Sequence, residues 1–329
     1  MKIVIAGGTG FLGNPLAWAW AEESHDVRVL TRSLPPGQAQ HESGTGKPGI
    51  TRVGWQPDGQ AGSVARELDG ATALINLAGE SIAGGRWTAA RKQALRDSRI
   101  LATRTLVNAL AETPAPPSTF VSGSGIGYYG DRGNEPLTES SSAGDDFLAH
   151  LCVEWEAEAS AFAKASASAE ASADKPAGQA AESPARRVVL LRTGLVLEKS
   201  GGVLPQMMRP FRFFAGGPIG SGRQYMPWVH RLDWIEMVRW IVDTPAVKGP
   251  VNVSAPHPVT NTEFARALGR ALRRPALLPA PGFALKIALG ELADAVLASQ
   301  RALPGVPLAH GYHFRYPEID IAFRGIFGD

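Results

Sequence analysis

Residues 2 to 13, Lys-Ile-Val-Ile-Ala-Gly-Gly-Thr-Gly-Phe-Leu-Gly, constrain the fold more than any other part of the chain. The apolar run Ile3 to Ala6 predicts a buried parallel strand, and an apolar helical pattern follows the glycines. Between them, Gly7, Gly10 and Gly13 give the spacing G-x-x-G-x-x-G. In such a strand–turn–helix unit the first glycine permits the tight turn and the second lets the backbone approach a pyrophosphate. The third lets the helix pack closely. The helix N-terminus then offers free N–H groups to the phosphates, with Thr9, Phe11 and Leu12 lying among the glycines as further contact positions. A glycine pattern alone also fits a simple tight turn; the strand before it and the helix after it favour a dinucleotide.

Strand-like and helix-like segments alternate through the first two-thirds of the chain. Strands are predicted at Lys2–Ala6, Val27–Thr31, Ala73–Leu77, Thr119–Gly123, Arg187–Arg192 and Val251–Ser254. Helices are predicted at Leu12–Glu22, Thr88–Glu112, Phe147–Ala165, Trp234–Asp243 and Thr262–Arg273. The alternation predicts an α/β protein, a Rossmann-type doubly wound parallel sheet. After Arg192 the glycine-rich pieces, and from Ala255 the helical and Pro-rich segments, predict a smaller C-terminal substrate lobe over the open sheet edge. The expected division assigns residues 1–194 and 223–254 to the Rossmann domain, and 195–222 and 255–329 to the lobe. Residues 162–185 read as a flexible Ala/Ser-rich insertion whose first half extends the preceding helix. Residues 37–49 are Gly-rich and polar and read as an exposed loop.

With 329 residues and 44% hydrophobic content, the chain has ample core for this architecture. A net charge of +2 gives no reason to expect nucleic acid or a membrane as partner. The single cysteine, Cys152, excludes an internal disulfide. The N-terminal apolar run is too short for a signal peptide, and no run approaches the roughly 20 apolar residues of a spanning helix. The expectation is a cytoplasmic protein acting on a small-molecule substrate.

Three strand ends carry the candidate chemistry. At the second, where an NAD site commonly places a carboxylate, the chain has Thr31 and Arg32. A guanidinium pairs with a 2′-phosphate that a carboxylate would repel, so NADP(H) is expected over NAD(H). The strand Ala73–Leu77 runs into Asn76, Leu77, Ala78 and Gly79, a small-residue turn suited to lie along the cofactor. The next strand leads through Ser122 and Ser124 to Tyr128 and Tyr129. Ser124 can donate to a substrate oxygen. One of the adjacent tyrosines can supply a phenol while the other packs, with Tyr129 favoured for the proton and Tyr128 kept as a substrate contact. Arg223 and Gln224, in a glycine-rich loop, suit a polar or anionic substrate group, and His230 joins them as a weaker substrate contact. Asp233 reads as the N-cap of the helix at Trp234. No metal site is expected, because His230 and Asp233 have no third ligand nearby in sequence.

The segments GGTGFLG, NLAG, SGSGIGYYGDRG, LLRTGLVL (190–197) and PWVHRLDW (227–234) resemble the extended short-chain dehydrogenase/reductase superfamily. Residues 75–88, 147–156, 216–230 and 251–269 resemble more closely its YfcH-like branch, related to NAD-dependent epimerases. The resemblance covers nearly the whole chain apart from the insertion. It implies an NAD(P)-binding domain, a small substrate domain and, in keeping with the superfamily, a homodimer. By position, Ser124 takes the place of the superfamily's active-site serine.

One departure stands out. Active members carry a Tyr-x-x-x-Lys pair on the helix after the serine strand, the lysine lowering the tyrosine's pKa. With Glu156 set against the glutamate that usually follows, Leu148 and Cys152 occupy those places; a shift by one gives Phe147 and Leu151. An unassisted tyrosine, with pKa about 10, is a poor base at neutral pH. The expectation is an oxidoreductase or epimerase-like enzyme with an altered site, or a cofactor-binding sensor that has lost catalysis.

Overall fold

The computed structural model describes residues 1–44, 47–172 and 186–328. The second part of the Ala/Ser-rich stretch, residues 173–185, lies outside the described residues.

Eight strands form the central sheet: β1 (Lys2–Ala6), β2 (Asp26–Thr31), β3 (Ala39–Gly44), β4 (Lys47–Gly54), β5 (Ala73–Asn76), β6 (Thr119–Gly125), β7 (Arg187–Thr193) and β8 (Gly249–Val253). Their order is β8-β7-β6-β5-β1-β2-β4-β3, parallel throughout except for β3, which runs antiparallel to β4 at the edge. Chain order reverses between β1, which leads outward to β2, and β5, which starts the other half. Ligands of open α/β sheets bind beyond the strand ends at that point.

Both faces of the sheet are covered, so its strands are apolar on both sides. Ile3 and Ile5 join one core with Leu16 and Trp20 of α1 (Gly13–Ala21) and Trp234 and Ile241 of a later helix. Val4 and Ala6 join the opposite core with Leu68, Leu106, Leu110 and Phe162. This is the period-two alternation of a strand buried twice. The second core is closed by α2 (Val64–Leu68), α3 (Ala89–Glu112) and α4 (Phe147–Ser172). α3 starts where Thr88 accepts a hydrogen bond from Arg91 N, and ends before Pro114.

A third core lies beyond the C-terminal ends of β7 and β8. Leu204, Met208 and Phe211 of α5 (Leu204–Arg212) meet Trp228, Phe264 and Leu268 there. Helix α6 (Arg231–Asp243) belongs to the first core, and α7 (Asn261–Leu272) to the third. The chain continues through α8 (Gly282–Leu289), α9 (Leu292–Leu297), α10 (Gly305–Ala309) and α11 (Ile319–Phe327), which packs on α7. No described helix is long and apolar enough to cross a membrane.

Three local readings change. The expected loop at 37–49 contains β3 and the start of β4, whose outer residues are polar because they form an exposed edge. The helix expected from Trp234 begins at Arg231, and its N-cap is His230, whose Nδ1 accepts from Leu232 N at 3.1 Å. Asp233 is therefore not a cap. Its buried carboxylate accepts from the backbone N–H groups of Arg315 and Tyr316 at 2.8 and 2.9 Å, tying the C-terminal segment to α6.

Candidate cofactor and substrate site

The glycine loop has the form that a pyrophosphate cradle requires. Gly7 sits at φ +79°, and a Cβ there would come within 2.6 Å of the Leu77 carbonyl. The loop after β1 is thus pressed against the turn after β5, consistent with the pairing of Ala6 beside Asn76. A Cβ at Gly13 would lie 2.3 Å from Gly7 O, so the start of α1 packs against the loop's own backbone. At Gly10 a Cβ would meet only Gly7 O, at 3.3 Å. No side chain caps α1 at Leu12; Asn14 N already donates to Gly10 O and Pro15 has no N–H, so the Gly13 N–H is the first-turn donor left to an anion. Thr9 is exposed, Leu12 is half-buried, and the Phe11 ring packs under Gly201 and Gly202.

At the end of β2 the Thr31 hydroxyl is buried and bonded to Ser33 Oγ at 2.8 Å. Arg32 is exposed and has no ion-pair or hydrogen-bonding partner among the described residues. At the end of β5, Asn76 is fully buried. Its Oδ1 accepts from Ala78 N, which shapes the Leu77–Gly79 turn, and its Nδ2 donates to Thr103 Oγ1 at 2.9 Å. Thr103 also accepts from Trp155 Nε1. Gly79 rests against the Arg99 side chain. Arg99 is buried, donates to the carbonyls of Leu95 and Glu80, and is pushed down by burial to a pKa of about 10.

Strand register builds the floor of the crevice. β6, β7 and β8 place Ser124, Arg192 and Asn252 side by side across three strands. Ser124 Oγ donates to Glu156 Oε1 at 2.7 Å. Arg192 holds the same carboxylate with two parallel bonds, Nε to Oε1 and Nη2 to Oε2, both 2.8 Å. Its Nη1 donates to the Tyr129 hydroxyl at 3.0 Å, and that hydroxyl donates to Asn252 Oδ1 at 2.7 Å. Burial opposes the Arg192 charge, but Glu156 outweighs it and the guanidinium pKa rises. Tyr129 is fully buried, which pushes its phenol pKa up. Tyr128, half-buried, lies with its ring centroid 3.4 Å from the Arg192 guanidinium carbon. Ser122 is buried on β6 beside Asn76.

Helix α4 presents Leu148, Cys152 and Glu156 as one i, i+4 stripe toward this strand end. A Cβ at Gly127 would touch Leu148, and Cys152 Sγ lies 3.7 Å from Gly125 O. Burial pushes the Cys152 thiol up to a pKa of about 11. Leu148 also reaches a cavity of about 480 Å³ between this helix and α8–α9, lined by Trp87, Phe147, Asp131 and Lys286 among others.

The remaining sequence-derived positions lie in the connection between β7 and β8. Gln224 is buried and donates to Ile219 O at 2.9 Å, while Arg223 is exposed on the same loop. His230 is buried, stacked on Tyr316 at 3.8 Å between ring centroids, and burial lowers its pKa to about 4. No group of three or more His, Cys, Asp or Glu among the described residues has the arrangement of a metal site. Sequence reasoning missed Arg192, Asn252 and Arg99, and used Glu156 only to align α4. A lone arginine next to the end of an otherwise apolar strand, in VVLLRT, was the available signal.

A glycine cradle at the switch point of a parallel sheet, with polar side chains at the strand ends, defines the dinucleotide-binding α/β class. The chain belongs to the NAD dependent epimerase/dehydratase family, whose profile matches residues 3–254. A second profile, a domain of unknown function (DUF1731), matches residues 280–326. Epimerase family protein YfhF of Bacillus subtilis is 36% identical, with 100% of this chain and 99% of that protein covered. The bovine epimerase family protein SDR39U1 is 34% identical over 99% of both chains. The crystal structure of human SDR39U1 with NADPH superposes with a TM-score of 0.81 at 31% identity, covering 100% of each chain. A nucleoside-diphosphate sugar epimerase from Corynebacterium glutamicum superposes at 0.74 with 29% identity, covering 100% of this chain and 58% of that one.

Proposed function

We propose that the protein binds NADP(H) across the β1/β5 switch point and performs oxidoreductase or epimerase-like chemistry on a small polar substrate. The observation that carries the cofactor assignment is the pairing of the Gly7–Gly13 cradle with a free Arg32 guanidinium at the end of β2. The human relative solved with NADPH supports it. When bound, the nicotinamide supplies a hydride donor or acceptor. Gly7, Thr9, Gly10, Phe11, Leu12 and Gly13 would hold the pyrophosphate at the start of α1. Thr31 and Arg32 would hold the 2′-phosphate, and Asn76, Leu77, Ala78, Gly79 and Ser122 would line the cofactor's path.

Ser124 is the residue we assign to the substrate oxygen. Its proton is committed to Glu156, so it offers lone pairs to a substrate hydroxyl. Tyr129, favoured for proton transfer on sequence grounds, has its phenol enclosed among Arg192, Asn252 and the Thr138 carbonyl. We therefore assign it a positioning role, acting through Arg192 on Glu156 and Ser124. Tyr128, half-buried against that guanidinium, is the aromatic surface offered to a substrate.

A specific observation favours a second reading. Leu148 and Cys152 face the strand end where a proton-transferring pair would stand, and neither exchanges a proton near neutral pH. A cofactor-binding sensor without turnover fits that stripe. Monitoring NADPH absorbance against a panel of aldehydes, ketones and sugars separates the two. Turnover that falls in Ser124→Ala with NADPH binding intact supports the enzyme; NADPH binding with no turnover on any compound supports the sensor.

A further inference from the structure

The net charge of +2 averages over a segregated surface. Residues 203–216 and 264–278 contain six arginines, Arg209, Arg212, Arg266, Arg270, Arg273 and Arg274, and no lysine, aspartate or glutamate. The two segments adjoin in the lobe. Leu278 N donates to Gly216 O at 3.1 Å, and the Arg274 guanidinium carbon lies 4.6 Å from the Phe214 ring centroid. Four of the arginines, from Arg266 to Arg274, line one concavity of about 450 Å³ with Gly269, Ala276 and Leu277. Among the described residues, only Arg270 of these four is in an ion pair, with Asp320. The side chains of Arg266 and Arg273 have no hydrogen-bonding or ion-pair partner among the described residues.

Beside these cations stand the most exposed large apolar side chains of this part of the lobe. Phe213 is 82% exposed, Phe214 58%, Leu277 79% and Leu278 56%. They occupy the turn after α5 and the segment after α7, with Leu277 at the edge of the concavity. Phe214 has φ +58°, a conformation that a bulky residue adopts at a cost.

We propose that this face docks on an anionic phospholipid surface. Arginine forks take headgroup phosphates at two oxygens each, and adjacent aromatic and aliphatic tips enter the boundary between headgroups and acyl chains. Two other occupants fit less well. A second copy of the chain across a two-fold axis would set arginine against arginine. A nucleic acid would use the two phenylalanines for stacking but leave Leu277 and Leu278 without a role. The proposal is independent of the nucleotide site, which opens at the strand ends.

The test is co-sedimentation of the full-length protein with vesicles of phosphatidylglycerol and phosphatidylcholine in equal parts, and with phosphatidylcholine alone. The wild-type protein should sediment with the first and not the second, and lose that binding at high salt. Arg266→Glu with Arg273→Glu should weaken it by roughly tenfold or more. Phe213→Ser with Leu277→Ser should weaken it independently, and both double variants should keep the wild-type Tm. Absence of sedimentation with the anionic vesicles would overturn the proposal. So would wild-type binding in either double variant, or retention by a DNA duplex in place of vesicles.

Discussion

The Ser124 hydroxyl donates to Glu156 Oε1 at 2.7 Å, while Arg192 holds both oxygens of the same carboxylate. The serine is thereby fixed in rotamer and in hydrogen-bonding sense. It can accept from a ligand, and cannot donate to one without giving up Glu156. Strand register sets this geometry, because Ser124 and Arg192 are direct neighbours on β6 and β7.

Removing Arg192 should be severe. Arg192→Met leaves the Glu156 carboxylate buried with Ser124 as its remaining partner, and unpairing a buried ion typically costs about 3–5 kcal/mol. Urea denaturation should show that loss. Arg192→Met combined with Glu156→Leu should recover part of it, and no recovery would mean that the pair's worth lies in the Tyr129 and Tyr128 contacts instead.

The cofactor preference should rest on one side chain. Arg32→Ala should weaken NADPH by roughly ten- to a hundredfold, the range expected for a lost charge-assisted hydrogen bond. NADH affinity should stay within error in the same titration. Equal loss for both would place Arg32 away from the 2′-phosphate.

Gly7→Ala forces a side chain to φ +79° and against the Leu77 carbonyl. The conformation alone costs of order 1–3 kcal/mol. The expected result is a protein with lowered Tm and no thermal shift on adding NADPH.

His230 predicts a pH effect of definite sign. Burial lowers its pKa to about 4 in the folded protein, against about 6.5 for a free histidine. Between those values the unfolded chain binds the extra proton, so the contribution is present above pH 6.5 and is lost as pH falls toward 4. At most this amounts to about 3 kcal/mol. Asparagine can still cap α6, so His230→Asn should flatten stability across that window while keeping the helix start.

The Cys152 thiol, at a pKa of about 11, should resist alkylation. At pH 8 roughly one thiol in a thousand is ionised. Iodoacetamide should leave the native protein unlabelled and modify one site after denaturation in guanidinium. Rapid labelling of native protein would show that α4 opens.

How far the sequence exposed all this depends on distance along the chain. The six apolar strands are short runs that announce themselves locally, and so does the glycine turn. β3 stayed hidden because Ala39–Gly44 is a polar edge strand, whose pairing with β4 owes nothing to an apolar pattern. The crevice floor was illegible for another reason. Glu156, Arg192 and Asn252 meet Ser124 and Tyr129 across separations of 32 to 123 residues, and only strand register and the packing of α4 on the sheet bring them together. Asp233 shows the same limit, since its partners at Arg315 and Tyr316 lie 82 and 83 residues away.

The stacking of Tyr128 on Arg192 has a consequence for how this crevice could change over time. Arg192 is shared by Glu156, Tyr129 and Tyr128, and through Glu156 by Ser124. A substitution that retunes the floor for a new ligand therefore perturbs all of them at once. New specificities are more accessible at exposed positions outside this network, such as Arg223, where side chains can vary one at a time.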